Sequence, residues 1–547
     1  MQILEVNLKK HEVKVREAEK DEYHFIGGKG IGFSIFSKYL SSDILIFALG
    51  PLTGLKMSGM AKCAAVFKSP QTGLVAESSC GGFFGVELRR AGFTAVLIKG
   101  ISNKPVILKI DNESAELLDA RNLWGKDTFE TEDEIKADFG KRYKVACIGQ
   151  AGENLVKFAC IEHAKGREFG RCGGGAVMGS MKLKAVAVKG DKDVESEITD
   201  YERYSELKEE FEEKIVKGLR GLTETGTPRM LPIVNEAGVL PTGYWRDGEF
   251  EAVEEIMDDL NKIHKRKRAC YACRVACGKI SKFNGNEVDG PEYETIFSFG
   301  SLCNIKDLNV IAEANLLCDR FGMDTISAGN VVAYYLNSTG RLGDGEIVPE
   351  LLKKIAYRKG EGDRLAEGLK EFSSIHIKGL EIPGYDPRGL YGTAIGYAVC
   401  YRGGCHIKHV MHRPNLDGEV DRFRPDGQAE LLVEVEDFYG FTDSMVICRF
   451  VTLPKGVLRQ KEVAELYNVV TGSNFTKKDV MKKGREVINL SRKINELLGL
   501  SRKDDKLPEF FFREPLGKGN SEGRVVNKKD FEKMLEEYYR LRGWHEV

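Results

Sequence analysis

From Met1 to about Asp193, apolar residues fall in short alternating or β-branched runs closed by Gly or Pro, a pattern that predicts strands. Asp43–Leu49, Lys62–Phe67, Ala95–Ile98, Val106–Lys109, Val145–Ile148 and Ala185–Val188 are such runs. The opening MQILEVNLKKHEVKV alternates in the same way. Few helices interrupt this region; one is predicted over Gly32–Tyr39. From about Glu195 the apolar period shifts from two to 3.6. Tyr201–Lys217, Leu308–Phe321, Ser327–Leu336, Glu350–Lys359, Glu462–Val470 and Lys529–Leu541 then read as helices. Asn415 to about Phe438, rich in charge and poor in apolar residues, reads as loop. No internal repeat or low-complexity segment stands out. The expected fold class is α+β, with a β-rich N-terminal base domain over residues 1–193. The helical remainder is too long for one core, so two mainly α-helical domains are expected, over 194–378 and 379–547.

Composition narrows the function. The chain has 547 residues, 42% hydrophobic and 30% charged, as a globular protein does. Lys+Arg number 82 and Asp+Glu 83, a balance that argues against nucleic acid as partner. The longest apolar runs, such as Ile44–Leu52, fall far short of the ~20 residues that span a bilayer. No signal-peptide core opens the chain, so no membrane association and a cytoplasmic location are expected. Thirteen cysteines in a reducing compartment point to metal, catalysis or burial rather than disulfides. Cys63, Cys147, Cys160 and Cys318 sit among apolar neighbours and read as small core residues.

The sharpest chemical signal is Cys270-Tyr-Ala-Cys273-Arg-Val-Ala-Cys277. Three thiols at CxxCxxxC spacing converge on one metal centre from a loop or a first helical turn. An iron–sulfur cluster needs a fourth thiolate from elsewhere. Zinc is the rival reading, and three buried cysteines on a helix the blandest. The basic run His264 to Arg268 just before suits an anionic thiolate cluster. A second constellation is Arg402-Gly-Gly-Cys405-His406-Ile-Lys408-His409-Val-Met-His412, which holds three of the nine histidines. It suits a metal site, an acid/base pair or an anion pocket as readily as packed histidines.

Gly27-Gly-Lys-Gly30-Ile-Gly32 precedes a predicted helix, and Gly173-Gly-Gly175 a strand-like run. Neither is a nucleotide fingerprint; turns explain both more simply than phosphate binding. Asp319-Arg-Phe-Gly322-Met323-Asp324 and Asp443-Ser-Met-Val446-Ile447-Cys448 each look like a helix terminus with a capping Asp. Their common shape, an Asp followed five residues later by Asp or Cys, hints at a paired role.

Taken in order, these segments resemble the aldehyde:ferredoxin oxidoreductase family along essentially the whole chain. The likeness includes Gly50-Pro-Leu-Thr-Gly54, Lys68-Ser-Pro-Gln-Thr-Gly73, Gly81-Gly-Phe-Phe-Gly85, Gly173-Gly-Gly-Ala-Val-Met-Gly-Ser180, Gly290-Pro-Glu-Tyr-Glu-Thr295 and Tyr538-Tyr-Arg-Leu-Arg-Gly-Trp544. The resemblance implies a tungsten (or molybdenum) bis-pyranopterin on a β-rich base between helical domains, with a [4Fe–4S] cluster close by. It implies that Cys270, Cys273, Cys277 and Cys448 ligate the cluster. It implies that Asp319, Gly322, Met323 and Asp324, and Asp443, Val446, Ile447 and Arg449, form two pterin-binding motifs. Arg171, Cys172, Gly173 and Gly174 resemble the segment that meets pterin phosphate near a bridging Mg²⁺; Lys62, Ser79 and Gly81 match a second such contact. Lys408 matches a pterin-contacting lysine, and Glu294 and His406 match positions beside the metal and substrate. Departures are Lys62 where arginine is common, Ser79 for an asparagine and Val446 for a glycine. Glu313 matches half of an inter-subunit iron site for which no histidine partner is found.

The implied activity is oxidation of an aldehyde to a carboxylic acid, with water as oxygen source and electrons passed through the cluster to ferredoxin. A subunit of a benzoyl-CoA-reductase-like complex is the alternative within the fold. A tungsten-free iron–sulfur electron carrier is the alternative outside it; a carrier needs the four cysteines but neither Glu294 nor His406. A homodimer is the commonest assembly a priori.

Overall fold

Twelve strands between Gln2 and Lys189 form two six-stranded sheets in this computed structural model, which describes residues 1–453 and 456–544. In the first sheet the order is Glu12–Glu17, Gln2–Asn7, Phe93–Lys99, Ile44–Ala48, Cys63–Lys68, Val75–Cys80. In the second it is Ser114–Asp119, Val106–Asp111, Leu183–Lys189, Lys144–Cys147, Ile161–His163, Arg167–Phe169. One face of each sheet contributes to a shared core that includes Leu4, Phe47, Phe67, Val106, Ala146 and Val186. The outer face of the first sheet is covered by the helix Gly28–Ser37, and that of the second by Thr128–Phe139.

The two sheets repeat one topology. Each opens with an antiparallel hairpin whose first strand pairs in parallel with the last strand of that half, Gln2–Asn7 with Phe93–Lys99 and Val106–Asp111 with Leu183–Lys189. The closing helix and strand lie ninety residues apart: Phe84–Arg90 then Phe93–Lys99, and Gly174–Ser180 then Leu183–Lys189. Gly82 (φ +96°) and Cys172 (φ +76°), both left-handed, hold the same place in the two halves. No repeat was expected, because the halves share backbone geometry and not residue types. Gly173-Gly-Gly175 therefore opens a helix and does not run directly into a strand.

Most helices fall where the period placed them. Leu308–Phe321 matches its expectation, and Tyr201–Gly218, Thr325–Ser338, Gln460–Thr471 and Lys528–Arg542 match within about two residues at each end. The helix expected at Glu350–Lys359 stops at Ala356, and that expected at Gly32–Tyr39 starts at Gly28. The stretch Asn415 to Phe438 is corrected. A long helix, Gln428–Ser444, covers its second half, and the short helix His412–Leu416 enters its start. Two of its acidic residues leave the solvated face: Glu436 and Asp437 are buried and both pair with Arg542 of the last helix. A small sheet, His264–Arg268, Gly278–Phe283 and Asn286–Asp289, also interrupts the helical part. One large core, from Ile26 to Tyr539, unites the helices and takes in Leu52, Met57, Val156 and Phe158 of the base domain. Among the described residues no helix is long and apolar enough to cross a membrane.

Candidate active site and thiol cage

The three clustered cysteines sit in the loop of a hairpin. Strand His264–Arg268 runs into residues 269–277 and returns as Gly278–Phe283, with Arg268 opposite Gly278. The loop turns on left-handed Ala272 and Ala276. Base-domain groups pin it: Tyr271 N–H donates to Gly82 O at 3.1 Å, and Arg274 N–H to Ser58 Oγ at 2.9 Å. Cys448 follows the helix Gln428–Ser444 and donates its N–H to Gly59 O at 2.9 Å. The four thiols, with Lys62, Val275 and Phe450 among their neighbours, wall a cavity of about 30 Å³. No three of these sulfurs lie within 4.8 Å of one another. Tetrahedral zinc at ~2.3 Å would bring its sulfurs to about 4 Å, closer together than any three of these thiols stand. A Cβ on Gly81 would stand 2.8 Å from Cys270 Sγ, so that position has room only for hydrogen.

Behind the cage lies a buried cationic region. Arg171 donates to Gly404 O at 2.7 Å and Glu381 O at 2.5 Å, and stands 3.4 Å from Asp324. Arg402 donates to Glu77 O and, at 2.8 Å, to Cys405 Sγ. Lys408 pairs with Glu77 and, at 3.1 Å, with Asp443; Arg449 also pairs with Asp443. Lys29 lies over the Tyr401 ring at 4.1 Å, fully buried, and burial lowers its pKa to about 8. Burial alone would raise the Asp443 pKa, but Arg449, Lys408 and Lys29 hold it well below the carboxylate range. Burial would also raise Cys405, yet Arg402 and Arg171 bring it below an ordinary thiol. Of these four cations only Lys408 and Arg449 pair with the carboxylates Glu77 and Asp443; Arg402 meets a backbone carbonyl and the Cys405 thiol, and Lys29 the Tyr401 ring. A buried excess of positive charge is the chemistry that receives phosphate.

The two Asp motifs approach this region from opposite sides. Gly322, left-handed, ends the helix Leu308–Phe321, and Asp324 caps Thr325–Ser338 by accepting from Ser327 N–H. Asp319, in the last turn, gathers with Glu162 and Glu168, each offering an oxygen within 4.8 Å of the others. Burial and mutual repulsion raise the pKa of Asp319 and Glu162 far above the ordinary value. Carboxyl groups that keep protons both donate and accept hydrogen bonds, as the amino and lactam edge of a pterin requires. Val446 takes φ +56°, the left-handed region that strains a β-branched residue. Gly27, Gly28 and Gly30 pack flush on this second motif: a Cβ on Gly28 would meet Val446 Cγ2 at 2.4 Å. Those glycines therefore serve close packing on the second motif, which the turn reading did not include. Lys62 Nζ and Ser79 Oγ are 3.5 Å apart on neighbouring strands.

Glu294 begins the short helix Tyr293–Ile296, which continues as a π-helical turn, Phe297–Ser301. Such turns recur at functional sites. Glu294 Oε1 stands 3.4 Å from His406 Nε2, outside hydrogen-bond geometry, while Gly384 N–H donates to Glu294 Oε2 at 3.0 Å. Glu294 Oε1 and His406 Nδ1 have no hydrogen-bond partner. Burial raises the Glu294 pKa to about 8, and burial with His412 drives His406 well below its usual range. The alternatives Glu292 and His409 point elsewhere. Glu292 accepts from Thr227, and His409 Nδ1 accepts from Met411 N–H.

Sequence reasoning missed Tyr385 and gave His412 no role of its own; their rings stack at 3.8 Å, and Tyr385 also lies 5.5 Å from His406. It gave Arg402 no role, although Arg402 opens the histidine-rich segment. Only Cys405 marks that role, and the Arg–thiol contact is visible only in three dimensions.

Comparison with known proteins bears on this arrangement. The model of the aldehyde ferredoxin oxidoreductase N-terminal domain matches residues 3–190, and that of its domains 2 and 3 matches residues 202–547. The chain belongs to the aldehyde ferredoxin oxidoreductase family and is an oxidoreductase. It is 38% identical over 588 residues to a tungsten-containing aldehyde ferredoxin oxidoreductase of Thermococcus kodakarensis, covering 99% of this chain and 96% of the relative. The corresponding Pyrococcus furiosus protein is 36% identical over the same shares. The same organism's aliphatic sulfonate oxidoreductase, WOR-like subunit, is 30% identical, covering 100% of this chain and 94% of that protein. The active-site complex BamBC of benzoyl coenzyme A reductase shares the fold, with a TM-score of 0.85 at 23% identity, over 100% of this chain and 94% of its own.

Proposed function

We propose that the protein oxidises an aldehyde to a carboxylic acid with water as oxygen source, using tungsten, and passes the electrons through a [4Fe–4S] cluster to ferredoxin. The observation that carries this reading is the buried Glu294–His406 pair, beside the phosphate-suited cationic region, whose Arg171 bears on both groups. An electron carrier has no use for that pair. The names of the Thermococcus and Pyrococcus relatives support both the metal and the substrate class.

Arg171, Arg402 and Lys408, with the backbone of Cys172, Gly173 and Gly174, would hold pterin phosphates and a bridging Mg²⁺; Ser79, Gly81 and Lys62 would do so in the equivalent half. Asp319, Gly322, Met323 and Asp324, and Asp443, Val446, Ile447 and Arg449, would hold the pterin rings. Cys270, Cys273, Cys277 and Cys448 would hold the cluster. When bound, the bis-pyranopterin metal supplies the two-electron redox chemistry, and the protein supplies orientation and electrostatics.

The chain's own residues handle protons. Conversion of RCHO and water to RCOO⁻ releases three protons and two electrons. Glu294, titrating near pH 8, accepts one of those protons at its unpartnered Oε1. Neutral His406 presents Nε2 to the substrate oxygen. Tyr293, Tyr385, Tyr397 and His412 are buried around them and exclude water. Metal analysis of protein purified anaerobically tests the reading: stoichiometric tungsten with about four iron atoms supports it, and iron without tungsten or molybdenum overturns it.

A further inference from the structure

The cysteine hairpin carries the strongest charge bias in the chain. Residues 260–286 contain eight Lys and Arg and no Asp or Glu, in a protein of net charge −1. The bias faces outward. In strand His264–Arg268, Lys265, Arg266 and Lys267 are exposed, and the strand is the edge of its sheet. The adjoining loop exposes Ala272 and Arg274 and half-buries Cys273, so it forms the wall between the thiol cage and solvent. Little of this charge is neutralised inside the chain. Lys265 Nζ donates only to Lys262 O, and Lys267 and Arg274 make no ion pair among the described residues. Arg266 pairs with Glu287 at 3.2 Å, with both side chains more than half exposed, a contact that solvent screens. The cationic residues that serve the fold are different ones: Arg268 pairs with buried Asp289, and Lys279 donates to Cys277 O at 3.0 Å.

We propose that Lys265, Arg266 and Lys267, with Arg274 at the loop tip, form the docking surface for a small acidic one-electron carrier protein of the ferredoxin class. This rests on the proposed function, since it needs electrons to leave through the thiol cage. A basic patch beside that cage steers an acidic partner, raising its capture and fixing its approach to the half-buried Cys273 edge. None of the four residues touches the Glu294–His406 pair or the buried cations, so the aldehyde half of the reaction is independent of them.

The test uses anaerobically purified holoenzyme and two acceptors, an acidic [4Fe–4S] ferredoxin and the small dication benzyl viologen. The variant K265E/R266E/K267E is expected to keep aldehyde-dependent viologen reduction within about twofold. Its kcat/KM for ferredoxin is expected to fall at least about tenfold at low ionic strength, within the range electrostatic steering spans. The wild-type ferredoxin rate is expected to fall with added salt, and the variant to lose that dependence. A ferredoxin rate and salt slope like the wild type's overturn the surface. Loss of aldehyde-dependent viologen reduction in the wild type itself sinks the proposed function instead, and so separates the two failures. Carbodiimide cross-linking of unmodified enzyme to ferredoxin needs no variant. Links at Lys265 or Lys267 support the proposal, and links confined to other surface lysines overturn it.

Discussion

The two halves of the base domain fold alike and meet different chemistry. In the first, the turn after Val75–Cys80 brings Gly81 against Cys270 and Gly82 against the cysteine loop. In the second, the turn after Arg167–Phe169 sends Arg171 into the interior toward Gly404, Glu381 and Asp324. One backbone device thus meets the cysteine loop on one side and buried carbonyls with Asp324 on the other. The distinction lies in a missing side chain in the first half and a long cationic one in the second, at positions ninety residues apart. The repeat supplies a place for each group, and the helical part decides what each place faces.

The contrast breaks most completely at the thiols. Cys448→Ala is expected to abolish the reduced-cluster EPR signal or leave a three-iron species while tungsten remains; an unchanged four-iron spectrum removes Cys448 from the ligand set. Glu294→Gln is expected to retain tungsten and iron and lose about 10²–10⁴ in turnover. The wild-type rate should rise with pH toward a plateau above about 8, as the carboxyl raised by burial loses its proton. His406, held neutral, adds no second limb near neutrality. The Gln variant should lack the limb, and its persistence there would assign it to another group.

Arg171→Ala and Gly81→Val set the two halves against each other. The first should lower pterin content with iron unchanged, a partial loss worth about 1.5–3 kcal/mol. The second should lower iron content, because its Cβ has no space beside Cys270. Equal losses of both cofactors in both variants would show that the halves do not divide the work. The smallest effect belongs to Val446→Gly. Relief of left-handed strain, about 1–3 kcal/mol, nearly offsets the lost burial of the valine, about 1.5–3 kcal/mol. Thermal unfolding should shift by only a few degrees, and a large drop would mean that Val446 is not strained.

The sequence made the elements legible and left their partners hidden. Leu308–Phe321 and Tyr201–Gly218 follow from apolar period and caps. Gln428–Ser444 did not, because buried Glu436 and Asp437 look like a solvated face until Arg542, more than a hundred residues on, is brought beside them. Glu294 and His406 were named through the family resemblance; the nearest rivals in sequence were Glu292 and His409. What chose between them is direction: Glu292 turns to Thr227 and Glu294 to His406. The repeated topology was invisible because the repeating unit is a hydrogen-bond pattern and a left-handed residue, Gly82 in one half and Cys172 in the other.

The crowd of buried cations around Glu77 and Asp443 also bears on how the enzyme matures. Lys29, Arg402, Lys408 and Arg449 come from three separate stretches of chain, and bringing them together with only Glu77 and Asp443 as carboxylate partners opposes closure of the interior. An anionic cofactor that binds the closed form alone therefore contributes to stability through mass action, by RT ln(1 + [L]/Kd). Loading and folding become one equilibrium.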